Sequence, residues 1–159
     1  MRRADREITD MQDILAVLEK CDCLRLGLCA GNRPYIVPLH FAIATENGET
    51  ALYFHCASEG RKIDMIRENP HACFEADCSY RLIKHEAAAH WSAAFESVMG
   101  EGTITILTDN TKKAHALDLL MQRHGFQGKP SYPEDALSSV CVLRLAVTEM
   151  TGKRNMPAQ

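Results

Sequence analysis

Two runs of β-favouring residues, Pro34 to Ala44 and Thr50 to Cys56, flank the dipeptide Asn47-Gly48. Asn-Gly supplies the two positive-φ residues that a type I′ turn demands, so this stretch is set up as an antiparallel hairpin. Upstream, Leu24, Leu26 and Leu28 alternate with Arg25, Gly27 and Cys29. That is the period of a strand with one buried face, and Gly31-Asn32 turns it into the next run. Pro38 interrupts that next run. A proline donates no ladder hydrogen bond, so the segment belongs to an edge, a bulge or an irregular stretch.

The remaining elements follow from periodicity and punctuation. Thr9 reads as the N-cap of a helix over Asp10 to Lys20, with Gln12 reaching back to complete a capping box. Ser58 opens a short helix, Glu59 to Asn69, stopped by Asn69-Pro70. His71 to Ala76 reads as a fourth strand, and residues 77–90 are ambiguous, with helical propensity but no apolar stripe over His85 to His90. Trp91 to Thr108 alternates well enough for one long strand or two, with Gly100 and Gly102 near a bend. Asn110 caps a helix whose buried face is Ala114, Leu117, Leu120 and Met121, and Gly125 stops it. A Pro/Gly-rich loop leads to a last strand, Ser138 to Val147, and a polar tail, 148–159. Short connections and tight turns favour antiparallel pairing. The expectation is a mainly β fold with flanking helices: one domain over 1–159, with helix at 1–20 and about six strands forming a small antiparallel barrel.

Composition bounds the function. Hydrophobic residues are 46% of the chain and charged residues 25%, as in an ordinary globular protein. Lys plus Arg is 18 against 21 Asp plus Glu, a net charge of −3, which gives no general signal for nucleic acid or an anionic membrane. No apolar run approaches the roughly 20 residues that span a bilayer, and the charged start MRRADREITD has no apolar signal region. Seven cysteines without a C-x-x-C pair read as reduced, mostly buried side chains of a cytoplasmic protein with no metal site. His85-Glu86-Ala87-Ala88-Ala89-His90 has one residue too many for the zincin pattern H-E-x-x-H, so on a helix its histidines would diverge by about 140°. Cys141 sits in an apolar strand and reads as core rather than nucleophile.

The segment with most chemistry is Leu52 to Asp64, where a strand runs into a helix opened by Ser58, with Gly60, Arg61 and Lys62 in the first turn. A helix start carries unpaired N–H groups and partial positive charge, so cations are unfavourable there without an anion. Ser58, Gly60, Arg61 and Lys62 are therefore arranged as a phosphate site would be, although a solvated helix start fits the same residues.

Arg25-Leu26-Gly27-Leu28, Pro34 to Phe41, Leu52 to Asp64, Ile66 to Pro70 and Ser97-Val98 with Gly100 to Ile104 together resemble the nitroimidazole-resistance (Nim-type) branch of the pyridoxamine-phosphate-oxidase-like flavin-binding proteins. The resemblance implies a split β-barrel homodimer with FMN, or FAD, in a groove between subunits. It places the cofactor phosphate on Arg61 and Lys62 beside Ser58 and Gly60. It sets Val37, Pro38, Leu39 and His40 along the flavin ring, and brings Ser97 and Val98 to the cofactor from a later strand. His55 matches the family's histidine before the phosphate loop; from the residues alone it also reads as a core histidine beside Tyr53 and Phe54. His40 departs from the asparagine common in such relatives. The implied activity is reduction of a small electron-poor acceptor such as a nitroaromatic, with His55 and His40 as proton donors; a non-catalytic flavin carrier or sensor is the alternative, and heme or a deazaflavin on the same barrel a third reading. Pyridoxamine-phosphate oxidases proper continue further with substrate-binding Arg and His residues beyond the position of Gly152-Lys153-Arg154, which argues against vitamin B6 oxidation.

Overall fold

The computed structural model describes residues 3–46 and 48–156. The order is β1 (Glu7–Ile8), α1 (Met11–Lys20), β2 (Leu24–Ala30), β3 (Arg33–Leu39), β4 (Ala42–Glu46), β5 (Glu49–Ala57), α2 (Arg61–Glu68), β6 (His71–Ile83), β7 (Ser92–Leu107), α3 (Asn110–Arg123), α4 (Glu134–Ser139) and β8 (Val140–Asn155). Single turns of 3-10 helix lie at Ala4–Arg6 and Ala88–His90. No helix among the described residues is long and apolar enough to cross a membrane.

All strand pairs are antiparallel, in the order β3-β2-β6-β7-β8-β5-β4, with β1 added to β8. The described residues thus form eight strands rather than six, and the sheet does not close by hydrogen bonds. Its two edges, β3 and β4, are joined by His40 and Phe41 alone. Such a connection spans at most about 10 Å, so the sheet curls until its edges meet: a split barrel with its seam at His40-Phe41. Pro34 and Pro38 lie in β3, an edge strand, where a missing donor disrupts no second ladder.

The barrel interior is filled by Leu24, Leu26, Phe41, Phe54, Phe74, Val98, Leu143 and Leu145, with Val17 and Leu18 of α1 and Ile63 and Ile66 of α2 packed against them. The outer face of β4, β5 and β8 carries a smaller cluster, Ala42, Ala51, Tyr53 and Val142, under Ala116 and Leu120 of α3. Lys113, in the same buried face of α3, donates from Nζ to the Leu137 and Val140 carbonyls at 2.7 and 3.0 Å and ties α4 to the helix.

Several sequence expectations shift. Asp10, not Thr9, caps α1, accepting from the Gln12 and Asp13 N–H groups. Asp109, not Asn110, caps α3. The buried positions of that helix are Lys113, Ala116 and Leu120 rather than Ala114, Leu117 and Met121, because the helix lies on the sheet by its Lys113–Ala116–Leu120 stripe. The long run beginning at Pro34 breaks at His40-Phe41 into two strands. Helix α2 starts at Arg61, with Gly60 as its cap, rather than at Glu59. Residues 148–155 continue β8 and pair with β7 and β1 instead of forming a tail. His85 lies in a loop and His90 at the end of the 3-10 turn, and their rings meet edge to face at 4.7 Å, since the segment is not an α-helix. Asn47 of the hairpin dipeptide lies outside the described residues, as do residues 1–2 and 157–159; Gly48 has the positive φ, 83°, that the turn requires.

Glu96 is a buried carboxylate on β7. It accepts from Lys20 Nζ (2.9 Å), Arg154 Nε (2.7 Å) and Ser79 Oγ (3.0 Å), joining α1, β6, β7 and β8. Burial pushes its pKa up, but the hydrogen bonds from Lys20, Arg154 and Ser79 together outweigh burial and the net shift is downward. A carboxylate held below its unfolded value stabilises the fold above the ordinary carboxylate range and stops doing so as the pH falls through the folded value. Because Lys20 and Arg154 are themselves half in solvent, Glu96→Ala is expected to lower stability by about 1–2 kcal/mol at pH 7. The difference from the wild type should shrink below about pH 4 in urea titrations; a constant difference across that range would mean the carboxylate charge is not what holds these elements.

Candidate functional site

The start of α2 is open. Gly60 occupies the cap position with φ 116°, a conformation that L side chains rarely adopt, and no side chain caps the helix. The Gly60 carbonyl accepts from the Ile63 and Asp64 N–H groups, which leaves the N–H groups of Arg61 and Lys62 without an acceptor among the described residues. A Cβ built on Gly60 would meet nothing within 4 Å, so the backbone borders free space. The apolar face, Ile63, Met65 and Ile66, is buried and anchors the helix, while the Arg61 guanidinium stacks over the Tyr35 ring at 4.6 Å. Two cationic residues, two unpaired N–H groups and the positive end of a helix dipole thus share one turn, a combination that an anion would balance.

Beside this start lies a cluster of imidazoles. His40, at the barrel seam, is hydrogen-bonded through Nδ1 to the Asp22 carbonyl at 3.0 Å. A carbonyl only accepts, so the proton sits on Nδ1 and Nε2 is left free. The His124 ring stands edge-on to His40 at 5.3 Å. His55, on β5, is exposed on the outer face of the barrel rather than buried in its core. Partial burial of the His55 ring pushes its pKa below its ordinary value, and His124, His40 and Lys62 push the same way. The cluster therefore unites the seam, the end of β5, the first turn of α2 and the end of α3.

Arg123, one residue before His124, locks this corner. Its guanidinium lies over the buried Phe41 ring at 4.4 Å and donates to the Leu18 and Cys21 carbonyls at 2.8 and 2.7 Å, with Glu19 as ion-pair partner. It satisfies carbonyls at the end of α1 while fixing the seam.

The other expected residues are placed as follows. Val37 and Leu39 are half-buried and Pro38 is exposed on edge strand β3, leading into His40; Ser58 is exposed just before Gly60. Val98 is fully buried inside the barrel and packs in its core, and Ser97, on the opposite face of β7, pairs in register with Asp77 and Lys153. Within one chain, Ser97 and Val98 are therefore not brought to the start of α2. Burial and then the neighbouring Cys56 push the Cys141 thiol up to about 11, so it stays protonated at neutral pH. Of the seven cysteines, Cys29 and Cys73 are exposed.

A larger concavity of about 960 Å³ runs over the outer face of β3, β2, β6 and β7, lined by Gly27, Tyr35, Cys73, Phe74 and Met99 among others. Tyr35 lines this cavity and also carries the Arg61 guanidinium on its ring. Among the described residues no three His, Cys, Asp or Glu side chains are grouped to hold a metal ion.

His124, Arg123 and Tyr35 were not singled out by sequence as site residues. His124 before Gly125 reads as an ordinary cation at a helix end, and nothing local joins it to His40.

The chain is similar in structure to a candidate 5-nitroimidazole antibiotic resistance protein from Bacteroides thetaiotaomicron, with 30% identity and a TM-score of 0.82 over 93% of this chain and 86% of that one. A flavocytochrome from Azotobacter vinelandii shares the fold at 20% identity, with a TM-score of 0.79 over 98% of this chain and 72% of that one. An FAD and heme binding protein from Mycobacterium smegmatis does so at 17% identity, with a TM-score of 0.82 over 97% of this chain and 76% of that one. No curated protein matches the chain. The family pattern described as pyridoxamine 5'-phosphate oxidase matches residues 10–154. With a match that runs from the cap of α1 almost to the end of β8, the chain belongs to the pyridoxamine 5'-phosphate oxidase family.

Proposed function

We propose that this protein is a homodimeric flavin-dependent oxidoreductase that reduces small, electron-poor acceptors such as nitroaromatics. The observation that carries the reading is the open start of α2, with free N–H groups, Arg61, Lys62 and an unfilled space at Gly60. Those groups fit the phosphate of FMN or of FAD. A bound flavin supplies a ring that takes up and gives out electrons. The chain's own part is binding and proton supply. Arg61 and Lys62 neutralise the phosphate, and Tyr35 holds Arg61 in place. The seam residues Val37 to His40 offer backbone groups for a ring edge, and His55, which feels both His40 and Lys62, is with His40 the candidate for moving a proton at that corner.

The names of the similar proteins support the reading: one is a candidate nitroimidazole-resistance protein, and two bear flavin in their description. The second subunit is argued from surface chemistry. Ile36 is 69% and Met99 60% exposed beside the 960 Å³ cavity. Large apolar side chains grouped on one sheet face favour a covering partner.

The test is anaerobic. The flavin-loaded protein is reduced, a nitroimidazole or another nitroaromatic is added, and flavin reoxidation is followed by absorbance. Reoxidation faster than that of free reduced flavin is expected. If no acceptor reoxidises it, a carrier or sensor is the better account; if pyridoxamine phosphate reduces the oxidised protein at an enzymatic rate, the activity is that of a vitamin B6 oxidase.

A further inference from the structure

A second cavity, about 450 Å³, lies on the outer face of the barrel at the other end of α3. Its floor is a row of three residues in register across three strands: Tyr53 on β5, Arg144 on β8 and Thr105 on β7. Thr111, Lys112 and His115 of α3 form one wall, Leu107 closes the floor and Glu46 stands at the rim.

Arg144 is half-buried, yet no carboxylate of the described residues pairs with it. Glu46, the acid in the cavity, is engaged instead by His115 Nε2 at 3.2 Å. Tyr53 is only 4% exposed as a whole residue, and its hydroxyl, which no described residue hydrogen-bonds, is open to solvent at the cavity. Its ring is packed edge-on against His115 at 6.4 Å, so the free hydroxyl is a property of a well-held side chain. Asp109 caps α3 by accepting from the Lys112 N–H at 2.9 Å, and no further acid lies in its first turn. A half-buried guanidinium without a carboxylate is unfavourable as it stands, and a phenol hydroxyl at the same cavity offers a second hydrogen bond. One ligand would satisfy both.

We propose that this cavity binds a small organic anion through one carboxylate or phosphate group, held by the Arg144 fork and the Tyr53 hydroxyl. Guanidinium recognises either group with two parallel hydrogen bonds. Leu107 and the Tyr53 ring suit an apolar body, and the volume admits a compact molecule. Glu46 at the rim repels a second negative group, which selects monoanions over polyphosphates. The site does not depend on flavin binding at α2, from which it differs in every residue.

Benzoate and inorganic phosphate serve as probes, titrated calorimetrically at ionic strength held constant with sodium chloride. Saturable binding of at least one probe is expected. Arg144→Gln should weaken it at least about tenfold and Tyr53→Phe about threefold, while the Arg61→Ala/Lys62→Ala protein should bind the probe as the wild type does. Binding unchanged in Arg144→Gln, binding lost with Arg61 and Lys62 instead, or no saturable binding of either probe would each overturn the proposal. Tyr53→Phe keeps the ring packing, so it reads the hydroxyl even if Arg144→Gln folds poorly; equal affinity in Tyr53→Phe and wild type removes the phenol from the site and overturns the two-point assignment.

Discussion

Replacing Arg61 and Lys62 together by alanine is expected to weaken flavin binding at least about a hundredfold while leaving the barrel folded. Each charge-assisted hydrogen bond to a phosphate contributes ~1.5–3 kcal/mol, and two such losses exceed a hundredfold in affinity. The fold should survive because the buried side of α2 is carried by Ile63, Met65 and Ile66, none of which is altered. Arg61 is exposed and Lys62 half-buried, so no cavity opens in the core. Fluorescence titration with FMN and with FAD gives the affinity, and the urea midpoint reports the fold. Unchanged affinity would move the phosphate away from α2; a collapse of stability would show that the two cations are structural.

The largest stability effect is expected at Gly102. The ladder between β7 and β8 shifts register between Glu101 and Gly102. A Cβ at Gly102 would overlap the Ala146 carbonyl oxygen and lie 2.9 Å from its carbon. The obstacle is backbone in a paired strand, so it has no rotamer by which to move aside. Gly102→Ala should therefore cost about 3 kcal/mol or more, at the upper end of what overpacking does. Gly48→Ala is the contrast: its Cβ meets nothing within 4 Å, and only its φ of 83° opposes the change. Thermal unfolding of both variants separates close strand approach from turn conformation. Equal losses would mean that the two strands part easily at the bulge.

How far the sequence foretold this arrangement depended on whether the signal was local. Pro38 indicated an edge, a bulge or an irregular stretch, and β3 is an edge, because a missing N–H acts at its own position. Gly60, Arg61 and Lys62 were legible for the same reason: a helix start is a local object. Residues 77–83 were ambiguous because Ser79, at φ 59°, breaks the alternation and shifts the β6–β7 register between Cys78 and Arg81. Residues 148–155 looked like a tail because Thr148, Glu149 and Thr151 face solvent; what makes them a strand is pairing with β7 and β1, where Gly152 admits Ile8 and Ile14. Helix α4 has only Ala136 and Leu137 to announce it, and a buried lysine from α3 helps hold it. The imidazole cluster was half visible. His40 and His55 stood in segments with their own signatures, whereas His124 arrives through the packing of α3 and the Arg123 clamp, which no spacing in the sequence encodes.

The central claim is that the chain binds flavin at α2 in a groove shared by two subunits. Its most direct test is to titrate the purified protein with FMN and FAD while following flavin fluorescence, and to weigh the saturated complex by light scattering. The expected result is saturation at one flavin per chain in a particle of about twice 17.8 kDa. Absence of binding by either flavin, or tight binding by a particle of single-chain mass, would contradict it.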